Sequence, residues 1–236
     1  MASDTAYVVD FDGTITTRDI TLELALYYGG EDYLEIDKSY RVREIPIRTW
    51  LQRIAKFLPA DMEQLRSKAL EWAVIRPGFK NFLEYARNHS RQVIIASDGL
   101  GFYVEPILEK FSLLGQFDYI YRNNTLVKSS KRLVIDTPHA HKICTVCGNC
   151  KAAHVVKLKE KGHAVIYIGD GSNDRFGASW SDHVCARDEL AEACRIYNFS
   201  YSPWNNFYDI ISVTRPEPGD RSGDSLCFPL GSGIKS

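Results

Sequence analysis

Asp10-Phe11-Asp12-Gly13-Thr14 sets two carboxylates two residues apart, directly after the apolar run Tyr7-Val8-Val9. In an extended segment such residues point the same way, so both enter one pocket. Two close carboxylates resist ionising together, and a divalent cation relieves that cost. A carboxylate can also attack phosphorus and form an aspartyl-phosphate, dividing one displacement into two. Its neighbour can protonate the leaving oxygen and later activate water. Gly13 permits a turn that lets backbone amides approach a phosphate. Taken alone, the run is equally a strand that ends in a polar turn.

A second carboxylate pair lies in Gly169-Asp170-Gly171-Ser172-Asn173-Asp174. Mg²⁺ prefers oxygen ligands and keeps several waters, so one or two carboxylates suffice. Asp170 ends an apolar run and Asp174 falls on the first turn of a following helix, so both can aim at one ion. A Gly/Asn/Asp turn capping that helix is the plainer alternative. Ser97-Asp98-Gly99 adds a hydroxyl and backbone amides at another strand end, which suits a phosphoryl oxygen. Lys151 offers a compact positive charge for the transferring group. It is preferred over Lys157, Lys159 and Lys161 because it opens its helix.

These residues need elements to bring them together. Tyr7–Val9, Gln92–Ala96 and Ala164–Ile168 are short apolar runs bounded by turn residues, the pattern of buried strands. Phe117–Tyr121, Thr125–Val127, Leu133–Ile135 and His183–Ala186 are further strand candidates. Helices are expected over 79–88, 104–111 and 151–161, the last closed by Gly162. Alternating strands and helices predict an α/β fold, a Rossmann-like parallel sheet covered on both faces. In such sheets ligands bind beyond the carboxyl ends of the strands. Asp10, Asp12, Ser97, Asp98, Asp170 and Asp174 all fall at those ends.

The stretch from about 17 to 75 has no strand pattern. A helix from Arg18 is expected to end at Gly29-Gly30. Pro46 opens a second helix, and Asp61 with Gln64 forms a capping box for a third. The expected division is a core of residues 1–16 and 76–213, an inserted helical cap of 17–75, and a mobile tail of 214–236.

The order Asp-x-Asp, Ser, Lys, Gly-Asp-x-x-x-Asp resembles that of the haloacid dehalogenase superfamily of phosphatases, from Tyr7 to about Val213. The resemblance implies Asp10 as nucleophile and Asp12 as general acid/base. It implies Mg²⁺ held by Asp10, the carbonyl of Asp12 and Asp170, with Asp174 as a direct or water-mediated ligand. Ser97, Asp98, Gly99 and Lys151 would bind the phosphoryl group. The cap between the first two elements is similar to that of the phosphoserine phosphatase subclass. Asp136-Thr137-Pro138-His139, the cysteine-rich run and Ala186-Arg187-Asp188 resemble the methionine-salvage phosphatases acting on 2-hydroxy-3-keto-5-methylthiopentenyl-1-phosphate. Ser97-Asp98-Gly99 and Gly-Asp-Gly-Ser-Asn-Asp depart from that group toward the general pattern. Phosphoserine and phosphocholine or phosphoethanolamine are therefore also candidate substrates.

Asp19 stands nine places after Asp10, where the resemblance implies an acidic residue facing the substrate. A charge complementing a helix N-terminus is its alternative. Arg53, with Arg48 as rival, is the candidate cap arginine for substrate, against a solvated helix face. His139, Cys144, Cys147 and Cys150 form a candidate structural zinc site that would brace the loop before Lys151. Reduced cysteines without metal are its alternative.

With 236 residues, 44% hydrophobic and 25% charged, the chain is an ordinary globular sequence. A net charge of −1 excludes the basic field that nucleic acid requires. No apolar run is long enough to cross a membrane, and the first residues lack a signal-peptide pattern. These observations predict a cytoplasmic phosphatase, monomer or homodimer, acting on a small phosphorylated substrate without nucleic acid or membrane. The rival readings are a phosphotransferase or mutase on the same site and a non-catalytic binding protein.

Overall fold

The computed structural model describes residues 4–42, 44–128 and 132–215. Its frame is a sheet of seven strands: β1 (Thr5–Val9), β2 (Gln92–Leu100), β3 (Tyr119–Lys128), β4 (Arg132–Asp136), β5 (Ala164–Gly169), β6 (His183–Ala186) and β7 (Ser202–Pro203). Their order is β4-β3-β2-β1-β5-β6-β7. Every pairing is parallel except β3 with β4. The chain builds outward from β1 to β4 on one side, then returns to place β5 on the other. That reversal makes β1 a topological switch point, where ligand crevices open in open parallel sheets.

Side-chain alternation explains why these runs are strands. In β1, Tyr7 and Val9 join one core cluster, and Ala6 and Val8 join the other. In β5, Ile166 and Ile168 face the first cluster, and Val165 and Tyr167 the second. Both faces are buried, as the continuous apolar runs require. The second face is covered by α6 (Lys151–Glu160), α7 (Arg175–Ala178) and α8 (Asp188–Ile196). The first is covered by α4 (Phe79–Asn88), α5 (Gly101–Lys110) and α9 (Phe207–Val213).

Three further helices lie between β1 and β2: α1 (Ile20–Arg41), α2 (Ile47–Ile54) and α3 (Met62–Trp72). The chain leaves and re-enters the sheet at adjacent points. Thr16 bridges Ile75, Thr17 N–H donates to the Val74 carbonyl, and Arg76 N–H donates to that of Ile15. Asp61 caps α3 by accepting from the amides of Glu63 and Gln64, the Asp61 half of the expected capping box.

Several elements differ from the sequence expectation. The first helical run stops at Gly29-Gly30, as expected: Gly30 is non-helical (φ 52°, ψ −133°) and divides α1 into two runs. The second run, to Arg41, lies outside the sequence expectation, and it packs Tyr33 and Tyr40 on Trp50. The strands expected at 117–121 and 125–127 are one strand, β3. Its first half pairs with β2 and its second half, from Asn124, with β4. Residue 214 does not begin a tail: Thr214 is buried, and its carbonyl accepts from Arg91 and Tyr85. From 216 on, the expected tail lies outside the described residues. No helix among the described residues is long and apolar enough to cross a membrane.

Candidate active site

The pairing register brings the chemistry together. Val9 is level with Ile95 of β2 and Ile168 of β5. The next residue, Asp10, donates its N–H to the Ile168 carbonyl at 3.0 Å. Asp10 and Asp170 therefore emerge side by side, each directly after its strand, and Ser97 lies next to them in β2, just past that strand's pairing with β1. The turn after Asp10 is shaped by Gly13, whose φ of +76° suits glycine. A Cβ there would also fall on the Asp170 carboxylate. Arg76 gathers the turn's carbonyls, donating to Gly13 O and, at 2.8 Å, to Thr14 O.

Lys151 opens α6 and is 4% exposed. Its ammonium lies 2.8 Å from Asp10 Oδ1 and 2.5 Å from Asp174 Oδ1. Among the described residues, one group of three acidic or thiol-type ligands has its ligand atoms within 4.8 Å of one another: Asp10, Asp170 and Asp174. Asp174 is wholly buried and fully engaged. Its Oδ1 also accepts from Tyr167 O–H at 2.7 Å, and its Oδ2 accepts from the amides of Asp170 at 3.0 Å and Gly171 at 2.8 Å. Asp174 thus anchors Lys151 and the loop, leaving Asp10 and Asp170 with the open oxygens. Thr14 O–H donates to Asp170 Oδ1.

Electrostatics favour positive charge at this site. Burial, then the Asp174 carboxylate, raise Asp10 well above the usual carboxylate range. Burial, then Asp174, push Asp170 up to about 7. Burial alone would lower Lys151, but Asp10 and Asp174 outweigh it and hold the ammonium well above its ordinary pKa. One ammonium faces three largely buried carboxylates, and hard oxygen donors suit a divalent cation such as Mg²⁺. With the folded pKa of Asp170 above 3.8, the folded state keeps a proton that the unfolded chain releases. Stability should therefore fall as pH rises from the ordinary value through about 7. Mg²⁺ should offset that loss, raising the thermal midpoint by about 3 °C or more at pH 8, roughly 1 kcal/mol, and by less at pH 5. A shift of equal size at both pH values would exclude these carboxylates as its ligands.

Asp12 faces a different environment. Its Oδ1 accepts from Ile20 N–H at 3.0 Å, at the start of α1, and its Oδ2 from Tyr103 O–H at 2.5 Å. Burial, then the charge of Asp19, raise its pKa well above the ordinary value. A carboxyl of that kind can carry a proton at neutral pH.

Ser97 is buried, and its Oγ accepts from Gly99 N–H at 2.9 Å. Asp98 is committed to neighbouring loops. Its Oδ1 accepts from Asn149 N–H and its carbonyl from Asn123 Nδ2, both at 2.8 Å.

A cleft of about 790 Å³ opens above these groups, between the strand ends and α1 and α2. Asp10, Asp12, Ser97, Lys151 and Asp170 form its floor. Asp19 lines it and is pushed up to about 6 by burial. It also caps α1 by accepting from Leu22 N–H, in keeping with its alternative as a charge at the helix N-terminus. Arg53 is exposed and does not line the cleft. Helical periodicity turns it outward when Ile47, Trp50, Leu51 and Ile54 are buried. The arginines that line the cleft are Arg41 and Arg175. Arg41 is held by Asp37 at 2.6 Å and by Glu189 at 3.1 Å. Tyr40 and Trp50 also line it. No local motif marks Arg41, Tyr40 or Trp50. Their helical spacing within 33–54 was the one available signal.

The zinc candidates are not gathered to ligand spacing. Cys147 is buried and its thiol is pushed up to about 12, chiefly by burial. Cys144 is exposed, and the His139 ring packs edge-on against Tyr121.

Comparison with known proteins agrees with this architecture. The chain matches the family described as Putative Phosphatase over residues 5–196. It is 34% identical over 206 residues to the 2-hydroxy-3-keto-5-methylthiopentenyl-1-phosphate phosphatase of Exiguobacterium sibiricum, covering 86% of this chain and 92% of that protein. The protein of the same description from Lysinibacillus sphaericus is 30% identical over 212 residues, covering 87% and 92%. Among solved structures, a phospho-aspartyl intermediate analogue of phosphoserine phosphatase superposes with a TM-score of 0.69 at 19% identity, covering 89% of this chain and 98% of that one. A substrate-bound phosphoserine phosphatase gives 0.70 at 16% identity, covering 91% and 100%. Sheet order, site geometry and these relatives lead to one assignment: the chain belongs to the Putative Phosphatase family, shares its fold with phosphoserine phosphatases, and is a phosphoric monoester hydrolase.

Proposed function

We propose that the chain hydrolyses a small phosphate monoester by a covalent route through Asp10, and that the ester is a methionine-salvage ketose phosphate. The observation that carries the chemistry is the Lys151 ammonium set between Asp10 and Asp174, with Asp170 alongside. Asp10 attacks phosphorus and forms an aspartyl-phosphate. Asp12 gives a proton to the leaving oxygen, then takes one from the water that discharges the intermediate. Lys151 and Ser97 neutralise and orient the phosphoryl oxygens. Asp10, the Asp12 carbonyl, Asp170 and Asp174 would hold Mg²⁺, which would supply further positive charge to those oxygens when bound. Residues 17–75 act as a cap that closes over the cleft and excludes water.

The cleft supports the choice of substrate. Ile45, Leu51 and Val146 form an apolar wall, suited to a thioether end. Trp50 lines the cleft, and its indole N–H is buried with no hydrogen-bond partner. A carbonyl or hydroxyl oxygen on the leaving group would satisfy it. Phosphocholine lacks such an oxygen beyond the ester itself. The relatives named above carry the ketose phosphate in their descriptions.

The test is phosphate release with Mg²⁺ from the ketose phosphate, phosphoserine, phosphocholine, phosphoethanolamine and an aryl phosphate. The ketose phosphate should have a kcat/KM at least about tenfold above the other natural esters, a gain of roughly 1.4 kcal/mol. EDTA should abolish release and Mg²⁺ restore it. A best rate on phosphocholine would sink the substrate assignment. Transfer to a second sugar phosphate in place of water would reassign the reaction as phosphotransfer, and a correctly folded protein releasing nothing would defeat it.

A further inference from the structure

Lys151 acts from the end of a segment without helix or strand, residues 137–150, and something must hold that segment still. A single side chain from α2 does most of it. Arg48 Nε donates to the Cys147 carbonyl at 3.0 Å, and Nη2 to those of Cys144 at 2.9 Å and His141 at 3.3 Å. Its backbone N–H donates to the Val146 carbonyl at 3.2 Å. The planar fork of a guanidinium aims donors from separate nitrogens in fixed directions, which the single nitrogen of a lysine ammonium does not reproduce. The bracing expected of a metal on the cysteine loop is thus done by a cation bonded to the carbonyls of His141, Cys144 and Cys147.

From there the loop is tied to the floor of the cleft. Asn149 N–H donates to Asp98 Oδ1 and its Nδ2 to the Ser97 carbonyl, both at 2.8 Å. His154 Nε2 meets Asn149 Oδ1 at 2.6 Å. Burial lowers His154 to about 3, so its neutral ring donates there. Gly148 passes so close to Leu51 and Asp98 that no Cβ would fit. A chain of contacts therefore runs from α2 through the cysteine loop to Ser97 and Lys151.

We propose that Arg48 is a positioning residue for phosphoryl transfer, fixing the cysteine loop so that Asn149 and Lys151 stay docked on Ser97 and Asp10. The inference rests on the assignment of Lys151 to the phosphoryl group. Arg48 does not line the cleft, so it acts through the loop rather than on substrate.

The experiment compares Arg48→Met, Arg48→Lys and Lys151→Met in the full chain, normalised to folded protein. Arg48→Met should lower kcat about tenfold or more, equally for aryl and alkyl phosphates, with KM within about twofold. Alkylation of Cys147, located by mass spectrometry, should quicken by about the same factor, while Cys185 and Cys194 stay protected in the core. Arg48→Lys should move both readouts the same way, and it carries the test if Arg48→Met does not fold. Wild-type kcat with Cys147 still protected would overturn the inference. So would a raised KM at unchanged kcat, which marks direct substrate contact. An inactive Lys151→Met beside a fully active Arg48→Met defeats the Arg48 inference alone. An active Lys151→Met defeats the Lys151 assignment with it.

Discussion

Asp10→Asn should abolish turnover, with kcat down on the order of 10⁴-fold or more, while the fold stays intact. The amide matches the carboxylate in size but cannot attack phosphorus. It should leave no acid-stable phosphoenzyme when a labelled substrate is quenched in mid-turnover. Stability should move the other way. Asp10 shares a buried site with Asp170 and Asp174, and one ammonium cannot balance three carboxylates. Removing one negative charge should raise the thermal midpoint measured in EDTA. Turnover retained above a few per cent would refute Asp10 as the nucleophile. A lowered midpoint would show that Asp10 stabilises the fold through Lys151 more than it is repelled by its neighbours.

Lys151→Met should damage both activity and stability. Lys151 is 4% exposed and sits between Asp10 and Asp174. Removing one partner of a buried ion pair leaves uncompensated charge and costs about 3–5 kcal/mol. Here Asp174 keeps its bonds from Tyr167 and two amides, so the loss should lie toward the lower figure. Loss of a preorganised cation at the phosphoryl group should cost about 10²–10³ in kcat. Mg²⁺ at high concentration should recover part of the stability and little of the rate. The two are separable by chemical denaturation and steady-state kinetics. A variant as stable as the parent, yet inactive, would mean that Lys151 is held for catalysis at no structural benefit.

Much of the fold follows from local pattern. Tyr7–Val9 and Ala164–Ile168 read as buried strands because both faces of the sheet are covered, so every residue is apolar. The misreadings came where a distant element overrode a local signal. Gly29-Gly30 does stop the first helical run, but the second run, to Arg41, carried no local signal because its packing surface is the distant Trp50. Thr125–Val127 seemed separate from Phe117–Tyr121, yet β4 and β2 each pair with half of one strand. Thr214 sits in a polar, turn-rich stretch, yet Tyr7, Tyr85 and Arg91 converge on it.

The amino-acid order by itself determined the reagents: Asp10 and Asp12 two apart on one strand end, Asp170 and Asp174 four apart, and a lysine at a helix start. Those relations span a few residues, and backbone geometry at that range is nearly fixed by residue type. The tertiary structure alone decided what surrounds them. Tyr103 reaches Asp12 across 91 positions, Lys151 reaches Asp174 across 23, and Arg48 reaches Cys147 across 99. Such contacts depend on strand order and helix packing, which no short window of sequence encodes. They also turn four common motifs into one buried, charge-unbalanced site.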